Sequence, residues 1–422
     1  MKSRGILPNA MVFGEALRRS GQTFRIVGQQ ILLGERKLRN LATFGTACII
    51  GSTLALATSA FAASGEGKAY VDLDRAKFQK DVDGKPVDLY TIKNKKGMVV
   101  KVTNYGARVE QILVPDRHGK LGDVVLGYES IDQVMNGQAS MNAFIGRYAN
   151  RVAKGKFTLN GQDYQLNINN PPNTLHGGQK GSRFVVFDAH QINDSTIEMS
   201  YTYKDGEENF PGTLPSRVIY KVTDGNALEI SYEAVAADKP TIVNFTSHLF
   251  VNLAGKGDIL DHLLTIPADA ITPVDATLIT TGEFRPVQGT PMDFTKPVKI
   301  GARIAADYDQ IKYGPGYDVN YVVNKKGQEL SLSARVVEPT SGRVLEIYST
   351  EPGIQFYSGN FLEGKAPRDV GKGGQVYNVH AAFSLEPQHF PDSVNKPNFP
   401  STVLNAGDWY KGKIVYKFGV QK

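Results

Sequence analysis

Seven histidines, His118, His176, His190, His248, His262, His380 and His389, and one cysteine, Cys48, set the chemical choices of this chain. No His-Glu-x-x-His stretch, Cys/His cluster or calcium-type ladder of carboxylates organises them, so metal catalysis has little support. No Gly-rich loop opens a helix and ends in Lys-Ser/Thr, and no Gly-x-Ser-x-Gly elbow offers a serine nucleophile. Acids, bases and amides near strand ends remain. His176 stands in NTLHGG, where the glycines after it let the backbone turn tightly. His248, in NFTSHLFVNL, sits among apolar residues expected to alternate across a strand, a place that suits a hydrogen-bonded core histidine as well as a catalyst. Glu386 follows the apolar AAFSL at an expected strand end where Pro387 stops the pairing. A partly desolvated carboxylate there gains proton affinity and suits a general base, while a solvated rim charge is the plainer reading. Asp318 in GYDVNYVV and Arg151 in GRYANRVAKG read singly as an ion pair or as loop residues. Gln355, between Ile354 and Phe356 on an expected strand, needs a partner if buried.

The elements that must position these groups read as strands. KFTLNGQDYQL places Asn160-Gly161 between alternating Phe157, Leu159 and Tyr164, Leu166, a strong hairpin signal. Asp83-Gly84, Asp205-Gly206 and Asp224-Gly225 repeat the device, and Ser341-Gly342 divides LSLSARVVEPTSGRVLEIYST. Helical period is confined to a turn or two in ESIDQVMNG and KIGARIAADYDQI. With 43 Gly and 21 Pro spread through such turns, the fold expected is all-β, a large antiparallel β-sandwich with a few short helices, in one domain over residues 68–422.

The formal net charge is +6, yet residues 1–62 hold eight Lys/Arg and two Glu, leaving forty basic and forty acidic residues in the rest. A nucleic-acid partner for the folded part therefore loses its support. In the leader the basic GERKLRN precedes the apolar LATFGTACIIGSTLALATSAFA, and Ala60-Phe61-Ala62 fits the small-x-small rule for cleavage. Residues 1–62 are read as an export signal with a long basic front, the uncleaved membrane anchor being the rival reading. Cleavage would remove Cys48 and leave a mature chain without a thiol. Export points to a bacterial periplasm.

Taken together, GRYANRVAKGKFTLNGQDYQL, NTLHGG, NFTSHLFVNLAG, TPVDATLITTGE, GYDVNYVV, EPGIQFYSGNFL and SLEPQHFPDS resemble, in order, the aldose 1-epimerase (galactose mutarotase) family, and cover nearly all of residues 90–420. The resemblance implies a mutarotase-like supersandwich that interconverts the α- and β-anomers of aldohexoses. By position it implies Glu386 as general base, His248 as general acid and His176 as a second histidine near the anomeric end and ring oxygen. Asn150, Arg151, Asp318 and Gln355 match sugar-binding positions. It implies a monosaccharide substrate, glucose, galactose or a related aldose, and neither a metal nor an organic cofactor. The sequence departs from the family's usual Ser-Tyr-Phe-Asn-Leu after the catalytic histidine, reading Leu249, Phe250, Val251, Asn252 and Leu253, so a hydroxyl is missing at Phe250. Two other functions fit parts of the pattern: an exported non-catalytic sugar-binding protein, and a glycoside hydrolase or lyase using Asp318 and Glu386 as paired carboxylates.

Overall fold

The computed structural model describes residues 70–421; the export signal expected over residues 1–62 lies outside them. Every ladder between strands in this part is antiparallel, including those that build the largest sheet. That sheet has nine strands in the order Asp188–Asn193, Thr196–Tyr203, Leu214–Val222, Ala227–Val235, Trp409–Val420, Arg343–Ser349, Ser331–Val337, Leu263–Thr265 and Val298–Lys299. A four-stranded sheet spans Leu89–Lys93 to Leu121–Asp123. Helices are short, Ile131–Asn136 and Asp309–Tyr313, where the weak helical patterns fall.

Three strands of a five-stranded sheet matter most here: β1 (Asp318–Val322), β2 (Gly353–Tyr357) and β3 (Ser384–Gln388), adjacent in that order with β3 at the edge. Side chains alternate across a strand. Val319, Tyr321, Ile354, Phe356 and Leu385 therefore face inward, where one buried cluster joins them to Ile230, Tyr220 and Ile414 of the nine-stranded sheet and to Val100 and Ile112 of the four-stranded one. Each such side chain contributes about 1.5–3 kcal/mol by leaving water. The opposite face of the same three strands carries Asp318, Asn320, Gln355, Tyr357, Ser384, Glu386 and Gln388, so the apolar face anchors what the polar face presents.

The hairpins expected at Asp83-Gly84, Asn160-Gly161, Asp224-Gly225 and Ser341-Gly342 connect paired strands. Asp205-Gly206 does not form a tight turn. It lies in a longer loop with a 3-10 segment at Glu207–Asn209, drawn out because the buried Arg147 guanidinium donates to the carbonyls of Pro211 and Gly212. Pro387 also departs from expectation: it pairs with Ile354 inside β3, and the strand runs on to Gln388. A residue without an N–H is tolerated because β3 is an edge, where one side of the strand has no ladder to complete.

Candidate active site

The register of β1, β2 and β3 sets Asn320 opposite Gln355 and Gln355 opposite Glu386. Asp318, at the start of β1, accepts a 2.7 Å hydrogen bond from Gln355 Nε2 and lies 3.9 Å from Arg151 Nη1. Arg151 arrives from a separate two-stranded ladder in which it pairs with Leu175, the residue before His176. Its Nε donates to Asn170 Oδ1 at 3.2 Å.

His176 is held in an unusual backbone conformation, with φ of +52° followed by +79° at Gly177 and +96° at Gly178. A Cβ on Gly177 would sit 2.2 Å from the carbonyl oxygen of Gly146, so the turn tolerates only glycine there. The His176 backbone N–H donates to Asn150 O, and its Nδ1 accepts the Asn150 N–H at 3.2 Å. That bond assigns the ring proton to Nε2, which makes the neutral imidazole a hydrogen-bond donor toward the site. Arg183 donates to the His176 carbonyl and fixes the turn from behind.

His248 directly follows the two-residue strand Thr246–Ser247, so the long strand expected around it is absent. Its place is set instead by its backbone N–H donating to Ala143 O and its carbonyl accepting from Asn142. Ser384 Oγ lies 3.2 Å from Nδ1, and Nε2 is 3.6 Å from Glu386 Oε1. The ring stacks on Phe250 with centroids 5.1 Å apart and meets His176 edge-on at 5.2 Å. All seven residues singled out from the sequence, Asn150, Arg151, His176, His248, Asp318, Gln355 and Glu386, are buried, and the contacts above link them around one centre.

Burial governs the electrostatics. Desolvation pushes the Glu386 carboxyl well above the usual carboxylate range, and the neighbouring Asp318 adds to the effect. Asp318 is raised for the same reason, opposed by Arg151 and by the bond from Gln355. Desolvation lowers His248 to about 3 and holds His176 well below its ordinary value, where the proximity of His248 also counts. Burial thus disfavours net charge on either partner, and the two groups stand 3.6 Å apart.

A profile of the family described as Aldose 1-epimerase matches residues 88–417. The chain is 43% identical to galactose mutarotase of Rattus norvegicus over 323 residues, 76% of this chain and 91% of that one. It is 35% identical to aldose 1-epimerase of Escherichia coli K12 over 80% of this chain and 96% of the relative. The chain belongs to the aldose 1-epimerase family. It is an isomerase acting on aldoses. Among solved structures, an aldose epimerase homologue from C. elegans superposes with a TM-score of 0.73 at 30% identity, over 80% of this chain and all of that one. Galactose 1-epimerase from Lactobacillus acidophilus superposes with 0.72 at 26% identity, over 81% and 97%.

Within this cluster, one ligand atom from each of His176, His248 and Glu386 lies within 4.8 Å of the others, a donor set that in number would suit zinc. The tautomer speaks against that use. Ligation through Nε2 of His176 would move the ring proton to Nδ1, directly against the Asn150 N–H that Nδ1 accepts.

Several neighbours escaped the reading of the sequence. Asn320, Tyr357, Ser384 and Gln388 share the polar face, and the period-2 alternation in DVNYV, GIQFY and SLEPQ was the signal that could have found them. Arg183, which braces His176 through a loop, carries no such signal.

Proposed function

We propose that Glu386 takes the proton from the C1 hydroxyl of an aldohexose while protonated His248 gives one to the ring oxygen. The C1–O5 bond breaks, C1 becomes the aldehyde carbon, and rotation about C1–C2 precedes closure on the other face. On closure the transfers reverse, so neither proton nor water is consumed. The carrying observation is the 3.6 Å approach of His248 Nε2 to Glu386 Oε1 among buried polar side chains. In this reading the neutral His176 donates to a sugar oxygen near the anomeric end. Asn150, Arg151, Asp318 and Gln355 bind the remaining hydroxyls. Positioned acid–base groups contribute roughly 10²–10⁴-fold each. Galactose and glucose are the proposed substrates, in keeping with the galactose mutarotase relatives. The Asp318 carboxylate, tied up by Gln355 and Arg151, favours this role over that of a glycosidase acid.

The working pair holds one proton and is neutral overall whichever group carries it. A second proton, or loss of the last, leaves net charge in a buried site. Burial thus separates the two titrations, His248 to about 3 and Glu386 well above the carboxylate range, and the pair titrates as a unit. Polarimetry of freshly dissolved α-galactose and α-glucose across pH is expected to show acceleration of anomer exchange through neutral pH, with loss near pH 3 and a second loss on the alkaline side. Sugar binding without acceleration would instead mark a binding protein.

The proposal extends to the leader. Residues 1–62 act as a cleaved export signal and residues 68–422 work as one domain in the periplasm, supported by the basic front, the apolar run and Ala60-Phe61-Ala62. N-terminal sequencing of the secreted chain tests this, and an intact Met1 on exported protein would overturn cleavage.

A further inference from the structure

On the polar face of β1, β2 and β3, five buried side-chain atoms find no hydrogen-bond partner among the described residues: Asn320 Oδ1, Gln355 Oε1, Glu386 Oε2 and both amide atoms of Gln388. They fall close together by register. Asn320, Gln355 and Glu386 stand in one row across the strands, and Gln388 is the next residue on this face after Glu386, opposite Gly353. Gly353 leaves the space between Asn320 and Gln388 without a side chain; a Cβ there would come within 2.6 Å of Asn320 Oδ1. Gln388 is fully buried, where unmet polar atoms are costly and require a partner.

The group is short of donors. The Gln355 amide nitrogen is engaged by Asp318 and that of Asn320 by Thr272, which fixes both of their oxygens as acceptors. When Glu386 is ionised, four acceptors thus share one side-chain donor, Gln388 Nε2. Glu386 and Gln388 are alternate residues of one strand, so their side chains stand on the same face, where one water between their tips bridges them with two hydrogen bonds. Such a water accepts from Gln388 Nε2 and donates to Glu386 Oε2 and to the oxygen of Asn320 or Gln355, the three bonds usual for a buried water.

We propose that Gln388 is a positioning residue for the base: through one bound water its amide N–H supports the inner oxygen of Glu386 when that carboxylate carries charge. The inference rests on Glu386 acting as base. Asn320 orients the same water, and Gln388 itself does not touch the sugar. Without this donor, the ionised form of Glu386 loses its support and the proton stays on the carboxyl.

The test compares Gln388→Met, which keeps length and removes the donor, with Gln388→Asn, which keeps a shorter donor, by polarimetric kcat and KM on galactose across pH. For Gln388→Met the expected result is kcat about tenfold lower at neutral pH, KM within about twofold, and an alkaline limb moved to higher pH, with Gln388→Asn between it and wild type. An unmoved limb with unchanged kcat overturns the proposal, as does a raised KM with kcat intact, which would place Gln388 against the sugar. Should Gln388→Met fail to fold, the infrared C=O band of protonated Glu386, identified by its loss in Glu386→Gln, reads the same quantity in Gln388→Asn. That band must persist to higher pH than in wild type. Glu386→Gln separates the two claims. Full activity there removes the base itself, whereas an inactive Glu386→Gln beside a wild-type Gln388→Met profile removes only the role of Gln388.

Discussion

Two glutamates, Glu351 in the bend just before β2 and Glu386 within the neighbouring β3, are each 2% exposed and each sit beside a histidine, yet their proton affinities move in opposite directions. Glu351 receives hydrogen bonds from Tyr232 at 2.5 Å and Tyr410 at 3.0 Å, and His389 Nδ1 is 2.6 Å away. Burial raises its carboxyl, but His389 and the tyrosines more than offset that and hold it below the usual range. Glu386 has the imidazole of His248 at 3.6 Å and an inner oxygen with no protein donor, so burial wins. Depth is common to both, and donor supply decides the charge.

The largest contrast concerns activity. Glu386→Gln keeps shape and removes basicity, and is expected to lower kcat by roughly 10²–10⁴-fold, while Glu351→Gln changes it less than about twofold, both read by polarimetry. A Glu351 variant as inactive as the Glu386 one would erase the distinction. Next comes stability. Because the folded carboxyl of Glu351 is depressed, its contribution is present above the unfolded value near 4.5 and lost as pH falls through the folded one. Glu351→Gln is therefore expected to cost about 2 kcal/mol at pH 8, from weakened bonds to a charged group, in denaturant titrations. The smallest effect has the opposite sign. The folded carboxyl of Glu386 is raised, so the wild type loses stability as pH rises from about 4.5 through the folded value. Glu386→Gln should melt above wild type at pH 8 and level with it below pH 4.5. A lower melting point at pH 8 would show that Glu386 is not held against its charge.

These two carboxylates also mark how far the sequence could be read. Asn160-Gly161 announced its hairpin because turn chemistry is local, Gln355 stood out as an amide between apolar residues of an expected strand and Glu386 as a carboxylate at the end of one, while Asp318 read singly as an ion-pair or loop residue. The alignment of Glu386 and Gln355 with Asn320 in one row, and of Asp318 in the next row with Tyr357 and Ser384, was not legible, since register depends on strands far apart in the chain. The long strand expected around His248 failed for a related reason: its position comes from bonds to Asn142 and Ala143, in a distant earlier segment. Glu351 and its partners Tyr232, His389 and Tyr410 come from separate stretches of the chain, and no spacing could have joined them. Phe250, noticed only as a missing hydroxyl, proved to be the surface on which the His248 ring lies flat.

Pro387 has a consequence beyond its place in the register. The strand bearing Glu386 ends its sheet, yet all five of its residues are buried, so each polar backbone group on that rim needs a partner away from water. The proline ring removes one donor from that rim, and its carbonyl is taken by the Thr246 hydroxyl at 2.7 Å. One imino acid next to the base thus leaves a covered sheet edge with no orphaned backbone group at that position.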